Sequence, residues 1–281
     1  MNFAHTIASY CVKALVYEVI ATPKPGLVDS NDSGAHTDMN LFTFFESAFA
    51  LYPYFLQCAE YGVQHTGTPS ELFVKARSLG VEAEKIMLRA TGGVNTHKGI
   101  IFSFGLVCLA AGYVEKNNPE KRNDPHGISE YITKMVHNIS EEMRYKMPGK
   151  TYGQSAFLQL GIKGIRGEAK EGFSKALHIG LRAFESFYTG ENINDALLYT
   201  MLHIMKSLDD TNVIGRGGYE HLRWLQAEAK NILNDENSFR KNNYEMLKRL
   251  NASCIKKNIS PGGVADYLAL TLLFYFLKQR V

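Results

Sequence analysis

The sequence predicts an all-α fold, a single compact domain of about ten helices spanning 1–281. Three observations carry that expectation. Apolar residues recur at the i, i+3, i+4 spacing of a helix buried on one face, in segment after segment. Runs that alternate apolar and polar residues, the mark of half-buried strands, are hard to find; the closest, "PKPGLVD" (23–29), carries two prolines that make it an extended loop. No Pro/Gly/Ser-rich linker or internal repeat divides the chain, and with 45% hydrophobic and 21% charged residues it can bury a sizeable core.

The first helix is written in "NFAHTIASYCVKALVYEVIA" (2–21). Ile7, Tyr10, Cys11, Ala14 and Leu15 form its inward stripe, and Glu18 continues the stripe just before a loop. A second helix covers 39–61, with Asp38 as N-cap, and a third covers 70–90, with Ser70 as N-cap. Segment 96–115 holds the longest apolar run, Gly99 to Val114, too short for a comfortable bilayer crossing and read as a buried core helix. The polar "EKNNPEKRNDPHG" (115–127) reads as a surface loop. Helices are then expected over 127–146, 171–188, 192–208, 217–234, 238–258 and 262–279.

The balance of 31 Lys+Arg against 28 Asp+Glu leaves +3, too even to make nucleic acid a main partner, so any anion site must be local. Cys11, Cys58, Cys108 and Cys254 are scattered, without metal or redox spacing, and read as small core residues of a reducing compartment. Lys13 interrupts the apolar N-terminal stretch and no basic segment precedes it, so neither a signal segment nor a membrane partner is expected and a cytoplasmic location is.

The glycines collect in loops that also carry charge. "TPKPGLVDSNDSGAHTDM" (22–39) holds Lys24, Asp29, Asp32, His36 and Asp38; "TGGVNTHKG" (91–99) holds Asn95, His97 and Lys98. "GIKGIRGEAKEGF" (161–173) holds Arg166 and Glu168, "LDDTNVIGRGG" (208–218) holds Asp209, Asp210, Asn212 and Arg216, and "SPGGVADYLA" (260–269) holds Ser260 and Asp266. Taken singly, each is a helix C-cap followed by an N-cap; Asp38 and Asp266 suit capping positions, His97 a structural histidine, and Glu18 a solvated helix residue. Their repetition is what points to a site. Glycines let backbone N–H groups approach a ligand and helix N-termini attract anions, while Lys24, Lys98, Arg166 and Arg216 are cations suited to a polyphosphate. Carboxylates at Asp29, Asp38, Asp209, Asp210 and Asp266 are hard oxygen ligands suited to magnesium. Together they describe a magnesium–triphosphate site in a helical cup. No Walker loop, no GxGxxG after a strand and no HExxH is present.

The set "TPKPGLVD…GAHTDM", "ATGGVNTHKG", "GIRGEAKEGF", "DDTN…RGG" and "SPGGVADYLA", in this order from about Glu18 to Leu272, resembles the triphosphoribosyl-dephospho-coenzyme A synthase family. One departure is visible: the family usually has Ser where Val264 stands. The resemblance implies a helical enzyme that takes ATP and 3′-dephospho-CoA. The 2′-hydroxyl of dephospho-CoA attacks C1 of the ATP ribose, adenine leaves, and the triphosphate stays on the product. That product is the precursor of the prosthetic group of the acyl carrier subunit of citrate lyase or malonate decarboxylase, and passes to a carrier-protein transferase.

Cleaving an N-ribosyl bond passes through an oxocarbenium-like state that carboxylates stabilise, the hydroxyl needs a base, and adenine needs a donor to leave. Glu168, between Arg166 and Lys170, is the first choice for that base, with Glu18 second; His97 joins them as a catalytic candidate. Lys24, Lys98, Arg166 and Arg216 are assigned to phosphates, with Asn95 and Asn212 lining the nucleotide site. Asp29, Asp38, Asp209 and Asp210 are the metal candidates, for Mg2+ accompanying ATP. Homo-oligomerisation is left open. Two other readings stay open as well: a magnesium-dependent ADP-ribosyl or nucleotide N-glycosidase, which hands C1 to water, and a non-catalytic nucleotide sensor.

Overall fold

The computed structural model describes residues 2–137, 161–162, 164–234 and 236–280, with the side chains of 236–238 and 240–242 left aside. Among these residues all regular structure is helical, as the periodicity requires. Helix α1 (Phe3–Ile20) buries Ile7, Cys11, Ala14, Leu15 and Glu18 along one face. The expected 39–61 helix is broken into α2 (Leu41–Ala50) and α3 (Tyr52–Gln64). Pro53, which cannot donate to the preceding turn, opens the second piece. The cap of α2 is Asn40 in a capping box with Thr43, not Asp38. Helix α4 (Pro69–Ala90) begins one residue earlier than the sequence suggests, with Thr68 and Glu71 forming its box around Pro69.

Helix α5 (Lys98–Asn117) is long and apolar enough to cross a membrane by length and composition, longer than its sequence run implied, but most of it lies buried in the fold. The expected surface loop that follows is partly ordered: α5 continues to Asn117, a 3-10 turn covers Pro119–Lys121, and Asp124 caps α6 (Pro125–Met135). The end of the expected 127–146 helix, beyond 137, lies outside the described residues.

Two further expectations are corrected around the glycines. Residues expected as loop form α7 (Gly164–Lys170), and 171–188 resolves into a turn, a π-helical stretch Ala176–Leu181 and α8 (Arg182–Phe187). After α9 (Ile193–Met205), α10 (Thr211–Leu233) starts several residues before 217, and Gly218, at φ 76°, kinks it instead of preceding it. Helices α11 (Glu236–Lys256) and α12 (Gly262–Lys278) follow.

Helices α5 and α12 are the most buried. Helix α5 packs on α3, α4 and α6, while α12 packs on α1, α9 and the π-helical stretch, and the two also touch each other. All four cysteines are free and buried, and Cys11 and Cys108, 3.4 Å apart, join α1 to α5. This packing aims the N-termini of α5 and α12 at one cavity.

Candidate active site

The cavity has a volume of about 970 Å³. The N-terminal ends of α5, α10 and α12, the loop before α2, α7 and Glu18 of α1 supply its walls. Of the residues singled out from sequence, Glu18, Asp38, Asn95, His97, Lys98, Arg166, Glu168, Asp209, Asp210, Asn212 and Arg216 line it; Lys24 and Asp29 do not.

The segment joining α4 to α5 separates two jobs. Gly92 (φ 65°) and Gly93 (φ 95°) stop α4: Gly93 donates its N–H to Leu88 O at 2.7 Å, closing a left-handed cap. Asn95 Oδ1 then accepts from Lys98 N at 3.2 Å and starts α5. His97 is buried at its N-cap, where Nδ1 meets Ser47 Oγ at 2.6 Å and Phe44 stands edge-on. Burial, and then the charge of Lys24, pull its pKa down to about 3, so the ring is neutral at pH 7. Lys98 is exposed at the rim, paired with Glu84 at 2.7 Å. Gly99 is fixed by close approach: a Cβ there would lie 2.0 Å from Asp266 Oδ2 on α12.

Lys24 and Asp29 lie outside the cavity lining and are engaged within the protein. Lys24 is buried and forms an ion pair with Glu18. Asp29, also buried, accepts backbone N–H groups from Lys24 (2.8 Å), Asn31 (2.7 Å) and Asp32 (3.1 Å), so its oxygens shape the loop. Glu18 is raised above the ordinary carboxylate range by burial, against the opposing pull of Lys24.

Asp210, which lines the cavity, is also engaged by backbone amides. Its Oδ1 accepts from Asn212 N (2.8 Å) and Val213 N (3.3 Å), capping α10, while its Oδ2 accepts from Val264 N (3.0 Å) at the start of α12. One buried carboxylate thus ties two helix starts together, and burial raises its pKa against those bonds. Val264 serves through its backbone N–H, which a Ser there would offer equally. Asp209 is exposed beside it. Asp38 is exposed too, 3.6 Å from His36. Among the described residues no group of three or more His, Cys, Asp or Glu side chains is placed to hold a metal ion.

Arg216 reaches Ala35 O (3.1 Å), Asn258 Oδ1 (2.9 Å) and His36 Nδ1 (3.3 Å), holding the loop before α2 against α10. His36 in turn meets Ser260 Oγ at 2.7 Å. Burial and then Arg216 lower the His36 pKa.

Glu168 is held by the turn after α7. Gly172 (φ 65°) and Phe173 (φ 59°) are left-handed, Phe173 N returns to Glu168 O at 2.7 Å, and Ser129 on α6 donates to Gly172 O at 2.6 Å. The ion-pair partner of Glu168 is Lys175, seven positions along, rather than the sequence neighbours first considered. Residues two apart on a helix do not share a face, so a partner across the turn is the natural one. Sequence reasoning also missed Tyr267, assigned no role to His36 or Ser260, and counted Asp266 only among the oxygen ligands suited to magnesium. The only signal for the tyrosine is its place one residue after Asp266 in the last glycine motif. Asp266 is raised well above the ordinary carboxylate range by burial and by the charges of Asp210 and Glu18.

Comparison with known proteins gives this arrangement a family. The family model described as ATP:dephospho-CoA triphosphoribosyl transferase matches residues 4–281. A 2-(5''-triphosphoribosyl)-3'-dephosphocoenzyme-A synthase from Haemophilus ducreyi is 38% identical, over 98% of this chain and 89% of its own. One from Pectobacterium atrosepticum is 37% identical, over 93% of this chain and 86% of its own. The chain belongs to the ATP:dephospho-CoA triphosphoribosyl transferase family.

Proposed function

We propose that the protein transfers the 5-triphosphoribosyl group of ATP to the 2′-hydroxyl of 3′-dephospho-CoA and releases adenine. The observation that carries this reading is one cavity, lined by three helix N-termini, two arginines and a carboxylate with an unpartnered oxygen, in a chain matched to the family over 4–281. In the reaction the C1–N9 bond breaks and an O2′–C1 bond forms. Glu168, paired with Lys175, takes the hydroxyl proton, which ends on adenine. Glu18, buried on Lys24, is the weaker choice of base. His97, neutral at pH 7, acts on adenine through a ring N–H and not as an imidazolium acid.

Lys98, Arg166 and Arg216, with Asn95 and Asn212, hold the triphosphate side. Because the triphosphate survives, these contacts convert remote binding energy into alignment at C1, on the order of 7–11 kcal/mol in favourable cases. If Mg2+ accompanies ATP, the exposed oxygens of Asp38 and Asp209 suit it, while Asp29 and Asp210, engaged by backbone amides, do not. The ion would neutralise phosphate charge. The product is the substrate of a carrier-protein transferase that loads the acyl carrier subunit of citrate lyase or malonate decarboxylase.

Mass spectrometry of the protein with ATP, magnesium and 3′-dephospho-CoA tests the reading directly. The expected product is dephospho-CoA plus a triphosphoribosyl group, with one adenine per turnover. Adenine release that does not need dephospho-CoA would place the protein with the nucleotide N-glycosidases instead.

A further inference from the structure

Two polar atoms in the cavity wall have no partner among the described residues. Glu168 is 8% exposed and its Oε2 accepts nothing, because Lys175 sits on Oε1. Tyr267 is 3% exposed and its hydroxyl makes no well-formed hydrogen bond, although Glu168 is near enough to draw weakly on its proton. The other buried orphans, Tyr131 Oη and His221 Nδ1, lie outside the cavity lining. A buried polar atom without a good partner costs desolvation, so a donor and an acceptor that meet only weakly in one wall leave both open to a ligand that satisfies them fully.

The pair has a definite chemistry. Glu168 Oε2 is an acceptor. Burial and the neighbouring carboxylate push the Tyr267 phenol well above its ordinary range, so it keeps its proton and serves as a donor. A donor and an acceptor set together match a cis diol, in which one hydroxyl gives a hydrogen bond and its neighbour receives one. A phosphate monoester in place of the second hydroxyl would bring a dianion against the Glu168 carboxylate in a poorly solvated wall.

We infer that Glu168 and Tyr267 form a ribose-diol site, in which Glu168 Oε2 accepts from one hydroxyl while Tyr267 donates to the other, making Tyr267 a specificity-determining residue. The inference rests on the transfer reaction proposed above and adds the feature by which the site selects a ribose with both hydroxyls free. Both substrates carry such a ribose, so the test has an arm for each.

Titration calorimetry on the full chain would compare binding of 3′-dephospho-CoA with its 3′-deoxy analogue, and of ATP with 3′-deoxy-ATP, in the unaltered protein and in Tyr267→Phe. Adenine release is followed in parallel. The unaltered protein is expected to prefer the intact diol of one substrate by about tenfold or more, the size of one well-made hydrogen bond. In Tyr267→Phe that preference should vanish through weaker binding of the diol compound, at an unchanged melting temperature. Equal binding of diol and deoxy compounds by the unaltered protein, or a preference that survives the substitution, overturns the inference. Selectivity lost in Tyr267→Phe without any triphosphoribosyl product would leave the diol site standing and remove the transfer reading; product with selectivity unmoved would do the reverse.

Discussion

His97 shows how a single buried side chain leaves a mark on the whole stability curve. Its folded pKa of about 3 lies below the ordinary 6.5, so between these values the unfolded chain holds a proton that the folded one lacks. Stability therefore falls as pH drops through 6.5 and levels off below about 3. Glu18, Asp210 and Asp266, raised by burial, act in the opposite sense, losing stability as pH rises. Urea denaturation at pH 8 and pH 5 on the protein and on His97→Asn separates the terms, since the carboxylates are common to both. The protein should lose more stability than the variant on acidification; equal losses would refute a neutral buried His97. The adjacent aspartates should also part company. Asp210→Ala removes a cap shared by two helices and should cost about 2 kcal/mol or more. Asp209→Asn, exposed, should change stability by less than about 0.5 kcal/mol and, on the proposed magnesium role, lower turnover when magnesium is limiting. The sequence could place both at a helix entrance but not distinguish them, because which carboxylate turns inward depends on where α10 begins.

At the scale of elements, helix existence was legible and helix starts were not. Periodicity reports the buried face over many residues, so α1, α4, α5, α9 and α12 are found within a few residues of their ends. A start is set by one local choice among several capping residues, as with Asn40 over Asp38. Glycine misled most. In "GIRGEAK" and "NVIGRGG" it falls within helical segments instead of between them: Gly164 (φ 55°) opens α7 and Gly218 (φ 76°) supplies the left-handed residue of a kink, with open space where a Cβ would stand. Gly99, by contrast, is set by the close approach of another element. Gly99→Ala should destabilise the protein by about 1–3 kcal/mol and reduce activity by pushing Asp266 off the α5 entrance. An alanine variant with unchanged melting temperature and rate would show that the α5–α12 contact yields freely.

For the whole molecule, the motif loops lie far apart in sequence yet meet in one cavity, and that convergence was the legible part of the site. The ion pairs were not legible, since Glu18–Lys24 and Glu168–Lys175 join a helix end to a loop and the two sides of a turn. The cavity also makes a prediction about bonds. On the proposal that Arg166 and Arg216 anchor a triphosphate that is not cleaved, an ATP analogue with a non-hydrolysable β,γ bridge should still be a donor. Adenine should then appear one-for-one with product and no inorganic phosphate should accumulate. If the analogue binds but gives no adenine while ATP yields phosphate, the chemistry is phosphoryl transfer or hydrolysis.

The π-helical stretch Ala176–Leu181 carries one more consequence, which concerns residue count. Thr271 of α12 reaches Ala176 O at 3.3 Å, and Gly180 faces the same threonine across a gap too small for a side chain. The wider turn accommodates one surplus residue, and Lys175 stands immediately before it. Removing one residue from this stretch would let it wind as an ordinary helix with its flanks still in register, whereas adding one would turn everything upstream by about 100° relative to α8. Deletion of the exposed His178 should therefore preserve helix content and keep Lys175 beside Glu168, while an alanine inserted after His178 should swing Lys175 away, with a large loss of rate. His178→Ala, which keeps the count, should leave the rate near its original value. A substitution as harmful as the insertion would mean that the side chain, not the register, matters there.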